Sequence, residues 1–390
     1  MRHARKLKEN ILSVGAVDWD RRLFDSLIPL PDGTSYNAYL VRGSEKTVLL
    51  DTVDPTMEHV LMENLRDEPK VDFIVAHHAE QDHSGTIPRV LEKYPSAKVL
   101  ASPKCKGMLV DHLGVDEGRI EPVEDGQTVS LGNKTLKFIH TPWVHWPETM
   151  VTWLQEDRVL FTCDFFGSHL AASDLTAADD VRVYESAKRY YAEIMMPFRN
   201  VIRNNMEKIG RLDVGWIAPS HGPVYDRPAF ILEAYRDWIS ESSKNQVVIP
   251  YVSMHGSTRK MVEHLVGRLT EKGITVFQID LAVTDIGKLA IALVDAATLV
   301  VGTPTVHVGP HPLAAYAALL ANALRPKLKT VSVIGSYGWA SKAAEGLAGM
   351  IFNLKVDIIP PVMCKGYPRE ADFKALDGLA EAIAEKHKNL

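Results

Sequence analysis

His77-His78-Ala79-Glu80-Gln81-Asp82-His83-Ser84-Gly85 directly follows an apolar run at 71–76. A short apolar run closed by a polar loop reads as a buried strand that delivers its loop to the edge of a sheet. Four potential ligands, His78, Glu80, Asp82 and His83, fall within six residues. A loop that turns alternate side chains one way brings His78, Glu80 and Asp82 together, and His83 can reach a second metal. Packing these groups side by side costs free energy unless a cation compensates them. Metal binding is therefore the better reading of this loop than structure alone.

Three later residues repeat the pattern of an apolar segment, a polar side chain and a break. They are His145 in Trp143-Val144-His145-Trp146, Asp164 in Phe161-Thr162-Cys163-Asp164, and His221 in Pro219-Ser220-His221-Gly222. Each alone reads as a packed histidine, a cap or a turn, and gains weight from the first cluster. Imidazole plus carboxylate without thiolate suits iron, manganese or zinc. Seven candidates are most simply two metals sharing one bridging carboxylate. Asp164, short and at a strand end, is the expected bridge. Trp143, Trp146 and Phe165 are candidates for the apolar shell around it.

Outward from this loop, the first half reads as short strands at 46–52, 98–101, 135–140, 150–154, 158–162 and 214–218, with helices at 57–66, 87–93 and 103–112. A long helical stretch at 187–209 is interrupted near Pro197, and another helix is expected at 230–240. Tyr191 reads as a helix-packing tyrosine. Mixed strands and helices suggest layered sheets and helices. The polar break at 241–246 marks a domain boundary, giving domains 1–244 and 245–390. Beyond it strands at 247–251, 275–280, 298–303, 330–335 and 356–362 alternate with helices, the last at 371–388. Regular alternation predicts an α/β, doubly wound parallel sheet.

Three loops of this second sheet stand where such sheets bind ligands. Ser253-Met254-His255-Gly256-Ser257-Thr258 opens a helix with hydroxyls and backbone N–H groups, a phosphate cradle. Pro304-Thr305-Val306-His307 follows the third strand. Ser336-Tyr337-Gly338-Trp339 follows the fourth, with Tyr337 or Trp339 able to flank a ring. The first loop resembles the FMN-phosphate loop of flavodoxins. The Gly-rich dinucleotide pattern is absent, so NAD is not expected here.

The chain has 390 residues, 44 basic against 49 acidic. Nothing in that balance favours a nucleic-acid backbone. The basic start at 1–8 reads as a solvated arm, no apolar segment is long enough to span a bilayer, and no signal peptide is expected. Cys105, Cys163 and Cys364 are distant and odd in number, which suits a reducing cytoplasm and excludes a four-cysteine iron site within the chain.

The motif His78-x-Glu80-x-Asp82-His83 resembles the metal loop of the metallo-β-lactamase superfamily, and specifically its flavo-diiron branch. Hydrolytic members carry histidine where this chain has Glu80, a hard anionic ligand that favours iron over zinc. Matching stretches at 33–40, 50–52, 145–147 and 196–198 extend the likeness over nearly the whole chain. The resemblance implies a metallo-β-lactamase-like αββα sandwich followed by a flavodoxin-like domain. It implies one iron held by His78, Glu80 and His145, another by Asp82, His83 and His221, and Asp164 between them. The implied activity is reduction of O2 to water or of NO to N2O at the diiron site, with electrons delivered through FMN from a rubredoxin-type protein or a reduced deazaflavin. A head-to-tail homodimer or homotetramer is implied too. Phe24 is followed by Asp25 where many relatives place histidine, which leaves the preferred gas open. A zinc hydrolase with an added flavodoxin-like domain is the main alternative. A flavin electron carrier or gas sensor without turnover is another.

Overall fold

In the computed structural model, which describes residues 4–178, 180–388 and 390, strand Phe73–Ala76 lies between Thr47–Leu50 and Lys98–Ala101, parallel to both. Successive side chains of a strand point to opposite faces. Ile74, Leu49 and Val99 thus meet Leu61, Leu65, Val90 and Leu109 of the helices on one face. Val75, Leu50 and Leu100 point the other way, onto Phe138, Met150, Val159 and Phe161 of a second sheet. The first sheet has seven strands, extended by Tyr39–Arg42, Ile11–Ser13 and Arg5–Lys8 on one side and Ile120–Pro122 on the other. The second has five, in the order Thr128–Ser130, Thr135–His140, Met150–Leu154, Val159–Cys163 and Trp216–Pro219. Helix Arg199–Ile209 covers its outer face, where Lys208 donates to the His140 carbonyl and Asn205 to that of Pro142. Two facing sheets with helices outside each form the expected αββα sandwich.

The chain divides into two compact units, Met1–Tyr191 with Phe198–Ile239, and Ala192–Pro197 with Ser240–Leu390. In the second unit the sheet runs Thr275–Asp280, Lys244–Tyr251, Ala296–Val306, Thr330–Tyr337 and then Asp357–Ile358 with Val362–Lys365, all parallel. Val247, Ile249, Val300 and Ile334 pack against Leu265, Leu376 and Ile383 of two flanking helices.

Several expectations need correction. Residues 5–8 are not a solvated arm but an edge strand, with Lys8 donating to the Asp157 carbonyl and lying over the Trp216 ring. Arg2 falls outside the described residues. The strand expected at 356–362 is two pieces, because Pro360 and Pro361 offer no N–H to a ladder. The helical stretch expected at 187–209 starts earlier, at Asp180, and is interrupted around Pro197 as expected, with a π turn and a 3₁₀ turn between α-helices Asp180–Tyr190 and Arg199–Ile209. Within the polar break at 241–246, Ser243 donates to the Lys327 carbonyl and Lys244 pairs with Asp295.

Candidate metal centre and flavin site

The metal-site candidates sit at strand ends on one edge of the sandwich. Strand Phe73–Ala76 leads into His77, whose ring is held between Asp51, just after strand Thr47–Leu50 of the first sheet (2.7 Å), and Thr152 of the second (2.7 Å). That first histidine braces the two sheets and leaves His78, Glu80, Asp82 and His83 to face the cleft. Strand Val159–Cys163 ends in Cys163, whose left-handed backbone (φ 51°) turns Asp164 inward. Strand Trp216–Pro219 leads to His221, and Gly222 after it takes φ 78°. A Cβ on Gly222 would lie 2.0 Å from Ser168 Oγ, so the turn that presents His221 admits glycine alone without displacement.

All seven candidates converge, in two sets. His78, Glu80, His145 and Asp164 offer ligand atoms within 4.8 Å of one another, and so do Asp82, His83 and His221. Asp164 divides its carboxylate between them. Its Oδ2 lies 3.5 Å from His78 Nε2 and 3.4 Å from His145 Nε2. Its Oδ1 lies 2.9 Å from His83 Nε2 and 3.3 Å from His221 Nε2. Glu80 Oε2 adds contacts to His78 (3.0 Å) and His145 (3.3 Å), and Asp82 reaches His221 (3.2 Å) and His83 (3.3 Å). The Asp82, His83, Asp164 and His221 side chains are buried, whereas Glu80 and His145 are partly exposed. The cleft therefore opens on the Glu80 side.

The charges in this cleft call for cations. Against burial, hydrogen bonds to Glu148 and Glu80 push His78 up to about 9. Burial is likewise outweighed at His83, raised to about 10 by the charges of Asp164 and Asp82. Burial is outweighed at His145 and His221 too, both raised to about 9 by the Asp164 carboxylate beside them, with Glu80 adding to it at His145 and Asp82 at His221. Asp164 itself, despite burial, is held well below the carboxylate range by the surrounding imidazoles. The carboxylates draw positive charge inward, as protons on imidazoles or as metal ions. Both oxygens of Asp82, both ring nitrogens of His83 and Oδ2 of Asp164 are buried without a hydrogen-bond partner. Buried polar atoms rarely stay unsatisfied, and atoms of this chemistry aimed at one cleft fit a pair of hard cations.

Several neighbours are not evident in the sequence. Glu148, buried, accepts at Oε1 from His78 Nδ1 (2.6 Å) and from the Ala79 N–H (3.1 Å). His221 Nδ1 instead donates to the Ser35 carbonyl (2.7 Å). Tyr190 donates to Asp164 Oδ1 (2.8 Å), whereas Tyr191 bonds the Trp238 carbonyl and packs on Tyr235 and Trp238. Buried His169 sits tilted against the rings of His221 and Phe24, with Nδ1 on Thr34 Oγ1. Asp25, raised by burial and by Glu80 and Asp82, lies beside the cleft. Trp146 sets its edge against His78, Phe165 is buried on Phe166, and Trp143 is half exposed over Phe198. The signal for Glu148 was its place in the segment after His145, but only the fold brings it to His78.

In the second unit the three segments stand at the C-terminal ends of parallel strands. Residues 253–256 form a loop leading into a helix as expected, but Pro304, Thr305 and Val306 are the last residues of strand Ala296–Val306, and Ser336 and Tyr337 the last of strand Thr330–Tyr337, so these ladders run further than expected. Ser253 Oγ accepts from the N–H groups of Gly256 and Arg259 (3.2 Å each). Gly256, at φ 88°, precedes helix Ser257–Glu271 and provides no side-chain cap; with the Arg259 N–H taken by Ser253, the first-turn N–H groups of Ser257 and Thr258 are the ones placed to meet an anion. Thr258 Oγ1 meets Ser336 Oγ at 3.2 Å, tying the first loop to the last. Thr305 Oγ1 meets Ser341 Oγ at 2.8 Å, and His307 takes a left-handed backbone (φ 47°) in the turn after Pro304, Thr305 and Val306. Met254 and Trp339 are exposed, with Tyr337 half-buried between strand and loop and Gly338 leaving open space beside it. His255 and Ser257 complete the first loop. A hydroxyl- and N–H-lined cradle next to exposed aromatic surface suits a phosphate joined to a flat ring.

Residues 34–222 match the ODP family beta lactamase profile, and 249–385 match flavodoxin. A nitric oxide reductase of Moorella thermoacetica is 34% identical over 97% of this chain and 98% of its own. A flavo-diiron protein of Clostridium acetobutylicum is 32% identical over 98% and 99%. The solved rubredoxin oxygen:oxidoreductase of Desulfovibrio gigas superposes with a TM-score of 0.95 at 30% identity, covering 99% of both chains. With likeness running end to end through both units, this chain belongs to the flavo-diiron protein family.

Proposed function

We propose that this protein is a flavo-diiron oxidoreductase that reduces O2 to water, NO to N2O, or both, at a non-haem diiron site fed by FMN. The relatives' names, a nitric oxide reductase and a rubredoxin oxygen:oxidoreductase, support both gases. The observation that carries the reading is the division of Asp164 between two ligand sets. His78, Glu80 and His145 would hold one iron, Asp82, His83 and His221 the other, and Asp164 would bridge them. Domain 1–244 would house this centre and domain 245–390 the flavin.

The chemistry supplied when these groups are bound is simple: two ferrous ions and a reduced FMN together hold the four electrons that O2 needs, and NO coupling needs two. The protein's own part is positional. Glu80 and His145 line the open side, Tyr190 holds one oxygen of Asp164, and Trp146 and Phe165 exclude water nearby. In the second domain Ser253, Gly256, Ser257 and Thr258 would hold the FMN phosphate, with Met254, His255, Pro304, Thr305, Val306, His307, Ser336, Tyr337, Gly338 and Trp339 about the ring.

The electron donor would be a rubredoxin-type protein or a reduced deazaflavin. We further propose a head-to-tail homodimer or homotetramer working in the cytoplasm; among the described residues no helix is long and apolar enough to cross a membrane. Photoreduction of the purified protein, with O2 and NO uptake followed beside iron and FMN content, tests the reading. Iron and flavin with rapid gas uptake are expected. Two zincs, no flavin colour and no uptake would overturn it.

A further inference from the structure

Resting on the diiron reading, we propose that Glu148 is a positioning residue that makes the two irons unequal. It would hold the iron of the His78, Glu80 and His145 set as the ferric partner when the pair carries one Fe(III) and one Fe(II).

The two ligand sets look alike in charge until their outer partners are compared. Each contributes one carboxylate of its own, Glu80 or Asp82, and each shares Asp164. Behind His221 stands a neutral acceptor, the Ser35 carbonyl, at 2.7 Å. Behind His78 stands the Glu148 carboxylate, at 2.6 Å. The same oxygen accepts the Ala79 N–H, so with a metal bound His78 Nδ1 would be the donor to Glu148 and Nε2, which faces Glu80 across the cleft, would be the ligand atom. Both side chains are shut off from solvent, with side-chain exposures of 0% for His78 and 0% for Glu148. A charge in such a place is weakly screened. It makes the imidazole a stronger electron donor, and outer partners of this kind tune the metal itself. A ferric ion gains more from it than a ferrous ion, so the extra positive charge settles on the Glu148 side.

The geometry explains how that carboxylate stays put. Ser102 donates to the Glu148 backbone carbonyl at 2.6 Å, and Ser102 itself caps helix Pro103–Leu113. The segment that carries Glu148 is thus pinned to the first sheet's helix layer, while His78 comes from just beyond strand Phe73–Ala76 of that sheet. Among the described residues no such carboxylate stands behind an imidazole of the second set: His221 Nδ1 meets the Ser35 carbonyl, and His83 Nδ1 is buried without a hydrogen-bond partner.

The test compares the wild-type holoprotein with Glu148→Gln. Glutamine keeps an acceptor for His78 Nδ1 and removes only the charge. Iron content is measured first, then the two one-electron iron potentials by EPR-monitored titration, then the Mössbauer spectrum of the half-reduced sample. Expected are unchanged iron content, a narrower separation between the two potentials through a rise in the lower one, and ferric character no longer confined to one iron. Loss of one iron per chain from a folded Glu148→Gln protein would also support the role of the charge. Unchanged potentials with unchanged iron would overturn this proposal and leave the diiron reading standing. If the variant does not fold, the wild-type spectrum decides: ferric character shared evenly by both irons overturns it. A wild-type protein without a two-iron signal refutes the underlying reading instead.

Discussion

Asp164 is the residue on which both ligand sets depend, because each of its oxygens faces a different pair of imidazoles. Asp164→Ala is therefore expected to leave fewer than two irons per chain by metal analysis and to slow gas uptake by more than about tenfold, or about 1.4 kcal/mol in barrier. Full iron occupancy in that variant would sink the bridge. Glu80 makes a separate prediction. Replacing its hard carboxylate by imidazole, in Glu80→His, should raise the zinc-to-iron ratio when the stripped protein is loaded from an equimolar mixture; a wild-type ratio would count against a ligand role. At this scale His78, Glu80, Asp82 and His83 were legible because charge density within one loop is itself abnormal. Glu148 and Tyr190 were not. Their roles depend on which imidazole or carboxylate lies across the fold, and a lone Glu or Tyr carries no such address.

Turns between elements set the aim of these side chains. Gly222 is the sharpest case, since a Cβ there meets Ser168 and the backbone is left-handed. Gly222→Ala should destabilise the protein by about 1–3 kcal/mol and weaken iron retention at the set containing His221; a wild-type melting temperature and iron content would refute this. In the second unit a Cβ on Gly335 would lie 2.1 Å from the Thr303 carbonyl oxygen of the neighbouring strand. Gly335→Ala is expected to push apart the two strands whose loops frame the flavin site and to lower FMN affinity at least tenfold, about 1.4 kcal/mol. Fluorescence titration of the apoprotein with FMN checks it, and unchanged affinity would remove the close approach as a constraint. Strands such as Lys98–Ala101, Thr135–His140 and Met150–Leu154 could be read to the residue from apolar runs and turn-formers. The edge strand Arg5–Lys8 could not, because basic side chains mask a backbone that pairs on one side only.

At the scale of the whole molecule, the two compact units have separate cores. The metal cleft belongs to the first alone. Removing metal with a chelator should therefore lower the melting temperature of a transition that involves the first unit and leave one for the second nearly unchanged, since a cation bound only by the folded state stabilises what binds it. Calorimetry of stripped, reloaded and native protein distinguishes this from a uniform shift, which would contradict it. By itself the sequence determined the kinds of layer, the alternation of the second sheet and the chemistry of the ligands, because periodicity and side-chain type are local properties. The tertiary structure alone decided that His77 braces while His78 faces the cleft, that Asp164 splits its oxygens, and that Glu148 backs one imidazole and a carbonyl the other. Those facts arise from distances between segments far apart in the chain, which sheet register and packing fix and no local pattern encodes.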